Sequence, residues 1–272
     1  MNPERWRTPT ATRSVTIGDV RVTVVPDGHI QLHPSGWYGE QQPPRPTSEV
    51  TPLLDQDGYL VASVGSLVIE VADEVIVVDT GLGPVRVPGR AGTPPVNAMI
   101  GGALPIRWRE AGLPEPTRVV ITHLHEDHTG WWRSDHAHGD HLRALPIVAG
   151  SADIASSALA GMSDRWEPAD GGEVLAPGVS VVPLTGHTAG HIGVRVESRG
   201  EHFLAFGDAL HSVLQVPDPS INAVVEHDRT AATATRVALL HDVEERAALV
   251  YGNHFADVVF GRVRDRRWIP EH

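Results

Sequence analysis

Short apolar runs broken by glycine and polar turns recur along this 272-residue chain, a pattern of buried strands more than of long helices. Residues 15–25 (Val-Thr-Ile-Gly-Asp-Val-Arg-Val-Thr-Val-Val) predict a β-hairpin turning at Gly18-Asp19. Residues 60–64, 67–71 and 75–79 predict three strands, and 118–121, 146–149, 179–184, 193–197 and 202–206 predict five more. Residues 248–251 are a further apolar run. Three stretches read as helices. Residues 97–112 do so despite two interior glycines and Pro105, and 151–161 does so with Ser151 as N-cap. The third, 229–246, has Asp228 as cap and Val237, Leu240, Val243 and Ala247 as its apolar face. Residues 26–58 and 84–95 are rich in Pro and Gly and read as irregular. The coarse order is strands then helix, twice, with no internal repeat at fixed spacing and no linker. The reading is therefore one α/β domain over residues 1–272.

Composition narrows the partners. The chain is 41% hydrophobic and 21% charged, an ordinary globular balance. Its net charge of −12 argues against nucleic acid, whose phosphates want a basic face. With no cysteine, disulfides and thiolate metal ligands are excluded. No apolar run reaches the ~20 residues that cross a bilayer, so no membrane is expected. Residues 1–7 lack the apolar core of a signal peptide, which predicts a cytoplasmic protein.

The chemistry concentrates in Thr122-His123-Leu124-His125-Glu126-Asp127-His128-Thr129-Gly130, just after the strand Arg118-Val119-Val120-Ile121. Three histidines and an aspartate occupy six positions, and these are ligands that divalent zinc, manganese, iron or cobalt accept. One ion could not use all four groups without strain. His123 and His125, two apart in an extended segment, point the same way, while Asp127 and His128 lie beyond the turn and can face a second ion. Elsewhere, apolar strands end in a ligand-type residue at Asp79, His187, Asp208 and His254. That puts five such groups at one sheet edge, where α/β scaffolds build sites.

Taken in order, His123-x-His125-x-Asp127-His128, Gly186-His187-Thr188-x-Gly190-His191, Gly207-Asp208 and Gly252-Asn253-His254, with Asp79-Thr80-Gly81 before them, resemble the metallo-β-lactamase superfamily. The resemblance implies an αββα sandwich of two mixed sheets with helices outside. It implies a first metal on His123, His125 and His187, a second on Asp127, His128 and His254, and Asp208 bridging both. Two divalent ions, zinc first with manganese, iron or cobalt as alternatives, would share a nucleophilic hydroxide. Asp127 would hold it or shuttle its proton, and Asp79 would orient a ligand histidine. The rivals of His254 are His211, His227 and His241. His191 reads as packed behind the site, and His29, His33, His136, His138, His141, His202 and His272 as loop or surface residues. His136, His138 and His141 with Asp135 and Asp140 could form an extra, weak metal site.

The segment from Gly207 to Pro219 resembles the branch holding N-acyl-homoserine lactonases and methyl-parathion-type hydrolases. In that branch the residue three after the bridging Asp faces substrate. His211 stands there, with packing under the loop as the alternative. The long segment 26–58 reads as a lid, with Trp37 or Tyr38 over the metals, as a homodimer contact, or as a merely disordered surface loop. Trp131 and Trp132 either wall the pocket or belong to the core. The expected activity is hydrolysis of a small-molecule lactone or carboxylic ester. The alternatives are phosphotriester, sulfate-ester or thioester hydrolysis, and a non-hydrolytic dioxygenase or sensor.

Overall fold

The computed structural model describes residues 2–39, 47–89 and 95–271. The parts of the 26–58 and 84–95 readings that fall on 40–46 and 90–94, and His272, lie outside the described residues.

Two mixed sheets lie face to face. The first has the strand order Arg86–Val87, Val96–Ile100, Val20–Leu32, Leu60–Val71, Glu74–Val78, Arg118–Val120, Ile147–Gly150 and Trp166–Ala169, with Arg13–Ile17 also paired to Val20–Leu32. Its last four strands run parallel and the rest antiparallel. The second sheet runs Val174–Ala176, Val179–Pro183, Ile192–Ser198, Glu201–Ala205, Leu249–Tyr251, Phe260–Arg264 and Arg267–Pro270. Its one parallel pair joins Glu201–Ala205 to Leu249–Tyr251, across the helix Arg229–Glu245. The first sheet is thus built before residue 170 and the second after residue 173.

The apolar runs have no polar alternation because both faces of each sheet are covered. Val120, Val148, Phe203, Ala205, Leu249 and Tyr251 face the seam between the sheets. Their neighbours Val119, Ile121, Ile147 and Ala149 face outward, onto Leu104, Trp108, Trp131, Trp132 and Leu142. Leu204 and Val250 likewise meet Leu239, Leu240 and Val243 of the long helix. The period of two places successive side chains in different layers, and each fully buried aliphatic contributes about 1.5–3 kcal/mol. The αββα sandwich follows.

Several elements differ from expectation. Residues 26–32 are not irregular: they continue the strand Val20–Leu32 across a bulge between Pro26 and Gly28. Proline and glycine mark the bulge there, not a strand end. A Cβ on Gly28 would lie 1.7 Å from the Ile100 carbonyl oxygen. Further on, Pro34–Tyr38 and Thr47–Val50 are short helices. Residues 60–71 are one strand, not two. The 97–112 reading fails in its first half, where Val96–Ile100 is a strand and the helix is Leu104–Glu110, with Pro105 in its first turn. Ser151 is the first residue of Ser151–Ser156, and Gly150 is its cap. On the long helix Val237 is 52% exposed, and the buried face is Ala232, Arg236, Leu239, Leu240 and Val243. Among the described residues no helix is long and apolar enough to cross a membrane.

Candidate metal centre

All five strand-end residues follow strands and meet at one edge of the sandwich. Arg118–Val120 leads to His123, Val179–Pro183 to His187, Glu201–Ala205 to Asp208, and Leu249–Tyr251 to His254. The helix Glu126–Arg133 begins directly after His125, so Asp127 and His128 sit in its first turn. Asp79, after Glu74–Val78, adopts φ +59°, a left-handed conformation that aspartate tolerates better than most residues. That turn aims its carboxylate back beneath the cluster.

Two ligand sets result. In the first, His125 Nδ1 lies 2.9 Å from His123 Nε2 and 3.0 Å from His187 Nε2. In the second, Asp127, His128, Asp208 and His254 bring their ligand atoms within 4.8 Å of one another. Asp208 faces both. Its Oδ1 is 3.1 Å from His254 Nε2 and 3.2 Å from His128 Nε2, and its Oδ2 is 3.5 Å from His187 Nε2 and 3.8 Å from His123 Nε2. These are the separations of groups that share a cation with bonds of about 2.0–2.2 Å.

Unsatisfied buried atoms support that fit. His128 Nε2, Asp208 Oδ1 and both ring nitrogens of His211 are buried with no hydrogen-bond partner among the described residues. Buried polar atoms are rarely left so unless an ion or water completes them. Burial holds His123 well below the ordinary histidine range and takes His187 to about 4, so both present the neutral ring a metal requires. At the second set burial opposes the charged form of His128 and His254, but Asp208 outweighs it and raises both, helped at His128 by Asp79. That position carries a field that favours a cation. Together the two His/Asp sets form a divalent-metal site.

Partners behind the ligands fix their rings. His128 Nδ1 lies 2.8 Å from Asp79 Oδ2, while Asp79 Oδ1 accepts the Thr122 N–H at 2.8 Å. His254 Nδ1 donates to the Ser63 carbonyl at 3.1 Å. His191 accepts the Asp208 N–H through Nε2 at 3.0 Å and donates through Nδ1 to the Leu184 carbonyl at 2.9 Å, so it packs behind the site. Glu226, on His187, and its partner Arg236 are absent from the sequence reading, as is Asp153, which accepts the Gly190 N–H and the Thr188 hydroxyl. For Arg236 a signal exists, since it falls between Ala232 and Leu240 on the four-residue period of the buried face. Glu226 stands in an irregular segment and has none.

Over the ligands opens a cavity of about 320 Å³. His125, Asp127, His187, Asp208 and His254 form its floor, and Ile30, Leu32, Trp37, Ala62, Val96, Met99 and Val225 its walls. Of the two aromatic residues considered for the lid, Trp37 reaches this cavity, whereas Tyr38 hydrogen-bonds Ser212 at 2.7 Å. His211 lies beside the cavity in a smaller recess with Ser212 and His254. It is 1% exposed, edge-on to Trp37 with centroids 5.2 Å apart, its Nε2 3.4 Å from Asp208 Oδ2. Trp131 and Trp132 are core residues under the first sheet, not pocket walls. His227 and His241 are exposed and far from replacing His254. His136, His138 and His141 form no metal-binding group among the described residues. His141 instead meets Glu115 at 3.1 Å, and His138 rests on Trp108 and Trp131.

Comparison with known proteins agrees with this geometry. Residues 61–134 match the sequence model of the metallo-beta-lactamase superfamily. No curated protein matches the chain by sequence. Among solved structures, AidC, a dizinc quorum-quenching lactonase in complex with a product, N-hexanoyl-L-homoserine, is 18% identical, with a TM-score of 0.76 over 97% of this chain and 98% of its own. The hydrolase AbOPH of the beta lactamase superfamily is 18% identical, with a TM-score of 0.77 over 97% and 98%. A probable metal-dependent hydrolase from Staphylococcus aureus is 14% identical, with a TM-score of 0.76 over 94% and 99%. The chain has the metallo-β-lactamase fold, and the resemblance drawn from its motifs is borne out.

Proposed function

We propose that this chain is a two-metal hydrolase that opens lactones or cleaves carboxylic esters. The observation that carries the reading is Asp208, whose two carboxylate oxygens face two separate ligand sets on the floor of an apolar cavity. His123, His125 and His187 would hold one ion, Asp127, His128 and His254 the other, with Asp208 shared. Zinc is a natural occupant for these nitrogen and oxygen donors, with manganese, iron or cobalt as alternatives. Two ions bound there supply a hydroxide nucleophile near neutral pH and a Lewis acid for the carbonyl.

The chain's own residues do the rest. Asp127 lines the cavity with its Oδ2 3.4 Å from His254 Nε2, where it takes the proton of the nucleophile and returns it to the alkoxide released when the acyl C–O bond breaks. The walls Ile30, Leu32, Val96, Met99 and Val225 exclude water and accept an apolar acyl chain. The net charge of −12 favours an uncharged substrate over a phosphodiester. A homologous fold with a bound N-hexanoyl-homoserine product supports a lactone bearing such a chain. The helix Pro34–Tyr38 acts as a lid. Trp37 stands against His211, and its displacement lets His211 donate to the developing oxyanion.

The test is hydrolysis of a panel of lactones, aryl esters, phosphotriesters and thioesters, using protein stripped of metal and refilled with zinc, manganese, cobalt or iron. Lactone or ester turnover, lost with chelator and restored at two ions per chain, is the expected result. Turnover of phosphotriesters alone would replace the substrate class. No turnover with one ion bound would overturn the hydrolytic reading.

A further inference from the structure

Glu226 and Arg236 form an ion pair with no solvent exposure, Glu226 Oε1 lying 2.9 Å from Arg236 Nη1. Such pairs seldom stabilise a fold more than apolar residues of the same size would, because desolvating both charges offsets their attraction. The arrangement around this pair points to a different use. The second carboxylate oxygen of Glu226 lies 3.1 Å from His187 Nδ1. With Nδ1–H directed there, Nε2 keeps its lone pair, and Nε2 is the atom that faces His125 and Asp208. Arg236 is anchored in turn. It donates to the Pro219 carbonyl at 2.8 Å, to Thr233 at 3.3 Å and to Asn222. Its Nη1 also lies 3.5 Å from the carbonyl of Ala209, the residue after Asp208.

The two ligand sets are therefore built alike: each has one histidine backed by a buried carboxylate, His128 by Asp79 and His187 by Glu226. The first set otherwise contains only neutral imidazoles and a share of Asp208. Resting on the two-metal reading, we infer that Glu226, clamped by Arg236, is a positioning residue that selectively sets the affinity of the three-histidine set for a divalent cation, as Asp79 does for the other set.

The experiment is stepwise Zn²⁺ titration of the metal-stripped protein against a chromogenic chelator, with circular dichroism as the check on folding. Glu226→Gln keeps an acceptor for Nδ1–H and removes the charge. It is expected to weaken one ion about 10–100-fold and leave the other at the parental affinity. Asp79→Asn should weaken the other ion, and the double variant both. Since Glu226→Gln strands the Arg236 charge, Glu226→Gln with Arg236→Met carries the test if the single variant does not fold. Parental affinity for both ions in the variant, or equal weakening of both, overturns the inference. A parent that binds fewer than two ions overturns the two-metal reading instead.

Discussion

His191 Nε2 accepts the backbone N–H of Asp208 at 3.0 Å, so the carboxylate between the two ligand sets is held from behind by a histidine outside both sets. The ring is fully buried, and its Nδ1–H is taken by the Leu184 carbonyl. His191→Ala strands two buried backbone groups and opens a cavity. It should lower the stability of the metal-free protein by about 3 kcal/mol in urea unfolding. A loss under about 1 kcal/mol would mean that solvent replaces the ring freely.

Asp208→Ala should abolish hydrolysis and lose metal at both sites, because each set depends on one of its oxygens. Metal content after gel filtration checks this. Two retained ions per chain with full turnover would refute the bridging role.

His211 separates two roles by one variant. If it acts on substrate, His211→Ala keeps both ions and lowers kcat by about 10²–10³-fold, the size of a lost oxyanion donor. Loss of one ion would instead place it among the metal ligands, for which its distance to Asp208 Oδ2 is short enough. Unchanged kinetics would leave it a packing residue.

Ala62 stands on the strand Leu60–Val71 and contributes to the cavity wall. Ala62→Phe should fill the space an acyl chain would use. We expect kcat/KM to fall more for long-chain than for short-chain lactones, with metal content unchanged. An equal loss for every chain length would place the acyl group elsewhere.

Gly150 ends the strand Ile147–Gly150 against the turn that carries His187 and His191. A Cβ there would lie 1.8 Å from the Gly190 carbonyl oxygen. Since backbone must move to admit it, Gly150→Ala should cost about 2–3 kcal/mol. Thermal unfolding measures the loss.

The parts of the centre that were legible in the sequence share one cause. His123, His187, Asp208 and His254 each follow a short apolar strand, His125, Asp127 and His128 stand within five residues of His123, and adjacency along the chain survives folding. Glu226 and Arg236 meet across ten residues of loop and helix, and nothing in either neighbourhood encodes the other. Asp27 was hidden for a related reason. Its carboxylate gathers N–H groups from Leu82, Gly83, Gly102 and Leu104 and the indole of Trp131, joining two connecting segments and a helix at a bulge that reads as a chain break. Residues 97–112 misled because a strand and a helix follow one another without a polar gap, so a single apolar stretch carried two periods. Val237 misled because helix periodicity tolerates an exposed valine, whereas Arg236 carries a charge, and only its place on the four-residue period with Ala232 and Leu240 marks it as buried.

Because one sheet is complete before residue 170 and the other begins after residue 173, neither half of the polypeptide contains a whole ligand set. His123 and His125 need His187 from beyond the seam, and Asp127 and His128 need Asp208 and His254. On the proposed reading each cation would be a further stitch between two halves that apolar contact and a few polar links, such as Asp153 to Gly190 and Asp257 to Arg5 and Arg13, already join. Tight binding is open only to the docked pair, so an ion at a thousand times its dissociation constant would add about 4 kcal/mol to the cohesion of the halves. Stripping the metal should therefore loosen the seam before it unravels either sheet, and exchange of the amide hydrogens of Gly190 and Ile192, which bond across it to Asp153 and Thr122, would register the parting first.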